Sequence, residues 1–197
     1  MTKKKEFELK DGRKVIIAEP SVSKDLKRLV EFFNNLPAEK RNVLRYNVTE
    51  VEPLKKRLEQ IDGKDHWRLY AEVEAKIVAD ATLDRESYAW TRHVAEVRLV
   101  VAPDFSQSGV GTLLLQEIVS QGAQAGIEKL FCEVMAGDNE RINQLKKAGF
   151  VREAMLRNWA KDAQGVSHNL IVMSNDLEDS WQRLANQMEE LDIRFTH

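Results

Sequence analysis

Two glycines one residue apart, Gly109 and Gly111, interrupt "VVAPDFSQSGVGTLLL" where strand-like residues give way to helix-like ones. A helix N-terminus carries unpaired backbone N–H groups and the positive end of the helix dipole. Glycine removes the Cβ that would hold an anion away from the backbone. The segment Ser106, Gln107, Ser108, Gly109, Val110, Gly111, Thr112 is therefore a candidate phosphate cradle made of main-chain donors. It is not a dinucleotide-fold fingerprint, because Leu114 stands where the third glycine would fall. The Gly-Lys-Ser/Thr of a nucleotide triphosphatase is missing too.

The remaining reactive side chains are weighed against plainer roles. Cys132 sits in the apolar run "KLFCEVM", where a lone cysteine behaves as a small hydrophobe rather than a nucleophile. His66, His93, His168 and His197 have no metal-ligand spacing with it, so no metal site is expected. Trp67, Trp90 and Trp159 are candidates for lining a substrate pocket, against core or rim positions. Glu96 precedes the glycine segment on the same expected strand, where the plain reading pairs it with Arg98 or Arg92. Glu133 is a second strand carboxylate, read as structural.

The elements that must position these groups are legible in the pattern. "KEFELKDGRKVIIAEP" reads as a hairpin about Asp11-Gly12. Ser21 or Ser23 caps a helix with Leu26, Leu29, Val30 and Phe33 on one stripe, ending near Pro37. "AEKRNVLRYNV" and "EPLKKRLEQI" read as two further helices, and "WRLYAEV" and "AKIVADATL" as a strand pair. "HVAEVRLVVAP" is a third strand, its second half apolar enough to predict cover on both faces. After the glycines come a helix ending by Gly126, the strand "KLFCEVM", and a helix opened by Asp138 or Asn139 and closed at Gly149. Two strands about Asp162 to Gly165 follow. Leu177, Trp181, Leu184, Met188, Leu191 and Phe195 then form the stripe of an amphipathic C-terminal helix, expected to pack on the core or at a homodimer interface.

The whole chain narrows the function classes. Its 197 residues, 43% hydrophobic and 31% charged, suit one globular domain over 1–197. A net charge of -2 disfavours a nucleic-acid surface, which needs a basic face. No apolar run is long enough to span a bilayer, and "MTKKKEFELK" lacks the apolar middle of a signal peptide, so no membrane partner is expected. A single cysteine suits a reducing cytoplasm.

The segment "AEVRLVVAPDFSQSGVGTLLLQEIV", followed by "GIEKLFCEVMAGDNERINQLKKAGF", resembles the core of the GNAT acetyltransferase superfamily. Gly109 and Gly111 match the small positions of its Arg/Gln-x-x-Gly-x-Gly/Ala loop, and Gly149-Phe150 its closing pair. The resemblance covers most of residues 13–177. From Ala95 to Gly111 it extends without a gap to bacterial Pat-type protein lysine acetyltransferases. It implies a mixed α/β (α+β) fold. The expected features are a mostly antiparallel sheet, a strand pair splayed at the cofactor site and helices on both faces. An N-terminal hairpin and the C-terminal helix, 178–197, are expected additions.

The resemblance also implies acetyl-CoA as donor and an amine, protein lysine or small molecule, as acceptor. Leu99, Val100 and Val101 would face the pantetheine and Ser106 to Thr112 the pyrophosphate. Asp138 or Asn139 would lie near the thioester, and Arg141 near the phosphates. Ser106 replaces the usual Arg/Gln, with Gln107 as the nearest substitute. Leu145 replaces the tyrosine that many members use as acid. Direct proton transfer from an ammonium to an ordinary glutamate is uphill by roughly 8 kcal/mol, so Glu96 as general base needs burial or a water relay. Two other readings stay open: a non-catalytic acetyl-CoA sensor, and a dimerising interaction protein on the same scaffold.

Overall fold

A computed structural model describes residues 4–9, 11–41, 44, 46–86, 89–162, 164–177 and 194–195. The chain opens with the expected hairpin, β1 (Lys5–Glu8) and β2 (Lys14–Ala18), closed by Gly12 N–H donating to the Leu9 carbonyl at 2.8 Å. Helix α1 (Val22–Asn34) follows. Its N-cap Ser21 gives no side-chain cap; instead Asp25 reaches back and accepts the Ser21 N–H at 2.9 Å. The first of the two further helices is shorter than its sequence suggests. Among the described residues of that stretch, helix is confined to α2 (Ala38–Arg41), and α3 (Val51–Glu59) is the second.

Strands β3 (His66–Val73) and β4 (Lys76–Arg85) form the second hairpin, and β5 (Val94–Val101) returns beside β4. Helix α4 (Val110–Gln124) leads to β6 (Lys129–Met135), and α5 (Asn139–Lys147) to the final pair β7 (Val151–Lys161) and β8 (Ser167–Asp176). Residues 178–193, the bulk of the expected C-terminal helix, lie outside the described residues. Arg194 and Phe195 form a short strand, β9, whose backbone pairs with Glu8 and Phe7, so Phe195 is in a strand and not in the helical stripe.

The strands make one sheet in the order β7-β8-β6-β5-β4-β3-β2-β1-β9. Every neighbouring pair is antiparallel except β5–β6. Those two run parallel because α4 carries the chain across between them, as parallel neighbours require. One face packs on α4 and α5 through Leu113, Leu114, Ile118, Val97 and Leu130, with Leu145 against the same core. The other packs on α1 and α3 through Leu29, Phe33, Leu54 and Tyr70.

The β5–β6 pair is where the sheet opens. Pairing covers only Val94–Glu96 against Lys129–Phe131. Beyond that, β5 stays with β4 as far as Val101 while β6 stays with β8 as far as Met135. The expectation that both faces of the second half of β5 are covered is corrected in degree. Leu99 and Val101 pack on one core and Val100 on the other, yet Arg98 to Val101 all remain half-buried, because no strand among the described residues lies along their free edge.

Candidate active site

The free edge of β5 is chemically defined by strand alternation. Ala102 N–H donates to the Val78 carbonyl at 2.8 Å, so Arg98, Val100 and Ala102 spend their main-chain groups on β4. Leu99 and Val101 direct theirs into the opening. Two side chains meet these carbonyls there: Arg141 Nη2 donates to Leu99 O and Lys40 Nζ to Val101 O, each at 3.3 Å. Of the strand residues expected at a pantetheine arm, Leu99 and Val101 thus offer their backbone, while Val100 faces α1 and α3 with its side chain.

The open edge runs directly into the loop. Pro103–Phe105 forms a single turn, and Gly109 caps α4 with φ +89°, a left-handed conformation that glycine adopts without penalty. Ser108 ties the loop internally: its Oγ donates to Phe105 O at 2.8 Å and accepts the Val110 N–H at 3.3 Å. The N–H groups of Gln107, Gly109, Gly111 and Thr112 have no partner among the described residues. They cluster at the positive end of a 15-residue helix. Gly111 has a packing reason that its sequence context did not reveal. A Cβ there would lie 3.1 Å from Val101 Cγ2 and 3.5 Å from Leu99 Cδ2, so the glycine lets the helix close on the open strand.

Helix α5 borders the same opening. Asp138 caps it, Oδ1 accepting the Arg141 N–H at 3.0 Å, and the Arg141–Leu99 bond brings its first turn against β5. Asn139 donates its N–H to Gly137 O at 3.0 Å. The helix ends with Gly149 N–H on Lys146 O and Phe150 N–H on Leu145 O, which explains the closing Gly-Phe pair as a helix stop with a buried aromatic behind it. Leu145 is a packing residue.

Glu96 lies on the face of α1–α3, at the last paired residue before the splay. It is 9% exposed and accepts from Arg98 Nη2, the plain pairing the sequence offered. Arg98 donates through Nη1 to Asp84 Oδ2 at 2.7 Å and through Nη2 to the Tyr46 hydroxyl at 3.1 Å. Asp84 also takes Arg57 at 3.2 Å and His66 Nδ1 at 3.0 Å. Tyr46 has the Arg57 guanidinium 3.8 Å and that of Arg98 4.6 Å from its ring centre. Glu133 shares this face, since Leu130, Cys132 and Val134 between its neighbours belong to the α4 side. Two carboxylates therefore flank the apex of the opening.

The other candidates separate cleanly. Burial pushes the Cys132 thiol up to about 12, with Arg141 opposing and Glu96 and Glu133 adding to the rise. Trp67 is buried, whereas Trp90 and Trp159 are 89% and 68% exposed. His168 holds Asp162 at the β7–β8 turn, and His93 lines a cleft at the opposite end of β5 from the loop. Among the described residues no three His, Cys, Asp or Glu side chains gather as a metal site, and no helix is long and apolar enough to cross a membrane. Sequence reasoning missed Lys40, Tyr46 and the full role of Arg98. Lys40 sits in a polar four-residue helix and carries no local signal.

A sheet splayed at one parallel pair, with a donor-lined helix N-terminus below the splay, is the architecture of a coenzyme A-dependent acyltransferase. The acetyltransferase (GNAT) family model matches residues 31–150, well over half of the sequence, and the chain belongs to that family. A [ribosomal protein bS18]-alanine N-acetyltransferase of Salmonella typhimurium is 30% identical over 74 residues, 38% of this chain. That match spans about half the length of the curated relative, 50%. The crystal structure of a ribosomal-protein-alanine N-acetyltransferase from Brucella melitensis superposes with a TM-score of 0.70 at 22% identity, over 82% of this chain and 99% of that one. The GNAT domain of S. lividans PAT gives 0.69 at 22% identity, over 88% and 97%. At such identities these two structures speak for the fold alone.

Proposed function

We propose that this protein moves an acetyl group from acetyl-CoA to a primary amine, with residues 13–177 as the catalytic core and the cytoplasm as its setting. The observation that carries the reading is the continuity of open donors and acceptors. The free main-chain edge of Leu99 and Val101 leads into the unpaired N–H groups of Gln107, Gly109, Gly111 and Thr112. An extended amide-bearing arm pairs with the first and a diphosphate with the second.

The amine approaches from the α1–α3 face, where Glu96 takes its proton directly or through water. The neutral nitrogen attacks the thioester carbonyl carbon; the C–N bond forms, the C–S bond breaks, and the thiolate leaves with a proton from water. Leu145 cannot supply that proton. Backbone N–H groups at the splay stabilise the oxyanion. Glu133 is the second candidate base, favoured by its place on the same face across the opening.

The acceptor is a protein amine or a small-molecule amine. The curated relative's name, an alanine N-acetyltransferase of a ribosomal protein, adds a protein N-terminus to lysine as a class to test. The experiment is thiol release from acetyl-CoA against three panels: lysine peptides, peptides with free N-termini, and small amines. Turnover with one panel establishes the reading. Tight acetyl-CoA binding with no release on any panel leaves a sensor instead.

A further inference from the structure

Lys40, on the short polar helix α2, reaches the open edge of β5. Its Nζ lies 3.3 Å from the Val101 carbonyl oxygen, and it makes no ion pair among the described residues. Val101 is also the residue against which the cradle closes, because the missing Cβ of Gly111 would stand 3.1 Å from Val101 Cγ2. The ammonium thus meets the backbone of the residue whose side chain the N-terminal turn of α4 packs against. The loop itself brings no charge to that turn: Ser106, Gln107 and Ser108 are all neutral.

We propose that Lys40 is a ligand of the cofactor's phosphates, delivered across the opening from α2, and that it supplies the charge the loop lacks at Ser106. The inference rests on the cofactor seat proposed above. A pantetheine amide that takes the Val101 carbonyl displaces the ammonium from it. The displaced charge then needs an anion, and the diphosphate at the N–H groups of Gly109 and Gly111 is within the sweep of a lysine side chain. Lys40 therefore does two things in sequence: it satisfies the open carbonyl before binding, and it neutralises phosphate charge after. Arg141 stands in the corresponding place on the Leu99 carbonyl, nearer the reacting end.

The test is calorimetric titration of coenzyme A into the wild-type protein, Lys40→Met and Lys40→Arg, with thermal melting of each as a check on folding. Phosphate-free pantetheine is measured in parallel by the concentration that halves coenzyme A binding. Lys40→Met is expected to weaken coenzyme A about tenfold and to flatten its dependence on salt, while Lys40→Arg stays within about threefold of wild type. Pantetheine is expected to bind Lys40→Met as well as wild type or better, since the competitor for Val101 is gone. Equal coenzyme A affinity in Lys40→Met and wild type overturns the proposal. So does a parallel loss for coenzyme A and pantetheine, which marks a lysine that merely shapes the crevice. No binding to the wild-type protein is a separate result, seen before any variant is made, and it removes the cofactor seat itself.

Discussion

Arg98 donates through Nη2 to the carboxylate of Glu96, its neighbour two residues earlier on the same face of β5. The same guanidinium is braced by Asp84 at 2.7 Å and by Tyr46 at 3.1 Å. The bond fixes where the carboxylate points and keeps it beside the splay. Replacing Glu96 with Gln keeps the shape and leaves Arg98 its two other partners. Turnover in Glu96→Gln should fall by about 100-fold or more, the usual range for losing a general base, with coenzyme A affinity unchanged within twofold. Steady-state rates beside calorimetry read both numbers. If Glu133→Gln causes the larger fall, the base is the carboxylate across the opening.

Gly111 and Val101 test whether the cradle is built by packing. A Cβ at Gly111 meets Val101 Cγ2 at 3.1 Å, so Gly111→Ala should cost about 1 kcal/mol of stability through overpacking. Val101→Ala removes the obstructing methyls. The double variant should therefore lose less than the sum of the two single changes, a coupling visible in urea unfolding. Strict additivity would mean that helix and strand adjust independently.

Arg68 and Asp80 form a two-pronged pair on the α1–α3 face of the sheet, with contacts of 2.7 and 3.1 Å and side chains 3% and 5% exposed. Burial raises the Asp80 carboxyl above its ordinary range, against the pull of Arg68. Asp80 pairs in register with Val100, so the couple underlies the open strand. Arg68→Met alone strands a buried carboxylate and should cost about 3 kcal/mol or more. Arg68→Met with Asp80→Leu should recover most of that loss in denaturant titration.

Cys132 gives the pH prediction. Its thiol sits at about 12 in the folded chain, against about 8.5 for an unfolded cysteine. The folded state keeps a proton that the unfolded state releases. The associated stability is complete below about 8.5 and drains away as pH rises toward 12. At pH 8 iodoacetamide should label the unfolded protein readily and the native protein hardly at all, and Cys132→Ala should leave acetyl transfer untouched. Fast native labelling would contradict the burial.

The elements were legible wherever local chemistry decides them. Asp11-Gly12 turned the first hairpin, Gly126 and Gly149 ended helices, and Asp138 capped α5, because turns and caps are satisfied by atoms only a few residues apart. In "AEKRNVLRYNV" the described helix covers Ala38–Arg41, while Leu44 and Val48 pack on the α1–α3 core from outside any described helix. The Gly109–Gly111 loop was found by spacing, but the reason for Gly111 was not, because its contact is with the side chain of Val101 ten residues away.

What the sequence determined by itself was the order of strands and helices, the donor-rich loop at Ser106–Thr112, and Glu96 on the strand before it. These follow from hydrophobic period, turn chemistry and the absence of side chains at two glycines. Only the tertiary structure decided that β5 and β6 part after Glu96, leaving the Leu99 and Val101 backbone open. It alone brought Lys40 and Tyr46 to that opening, and put Arg141 on the Leu99 carbonyl. The physical reason is that pairing partners of a strand are chosen across the whole sheet. An unpaired edge is a property of two strands diverging, and no single segment encodes it.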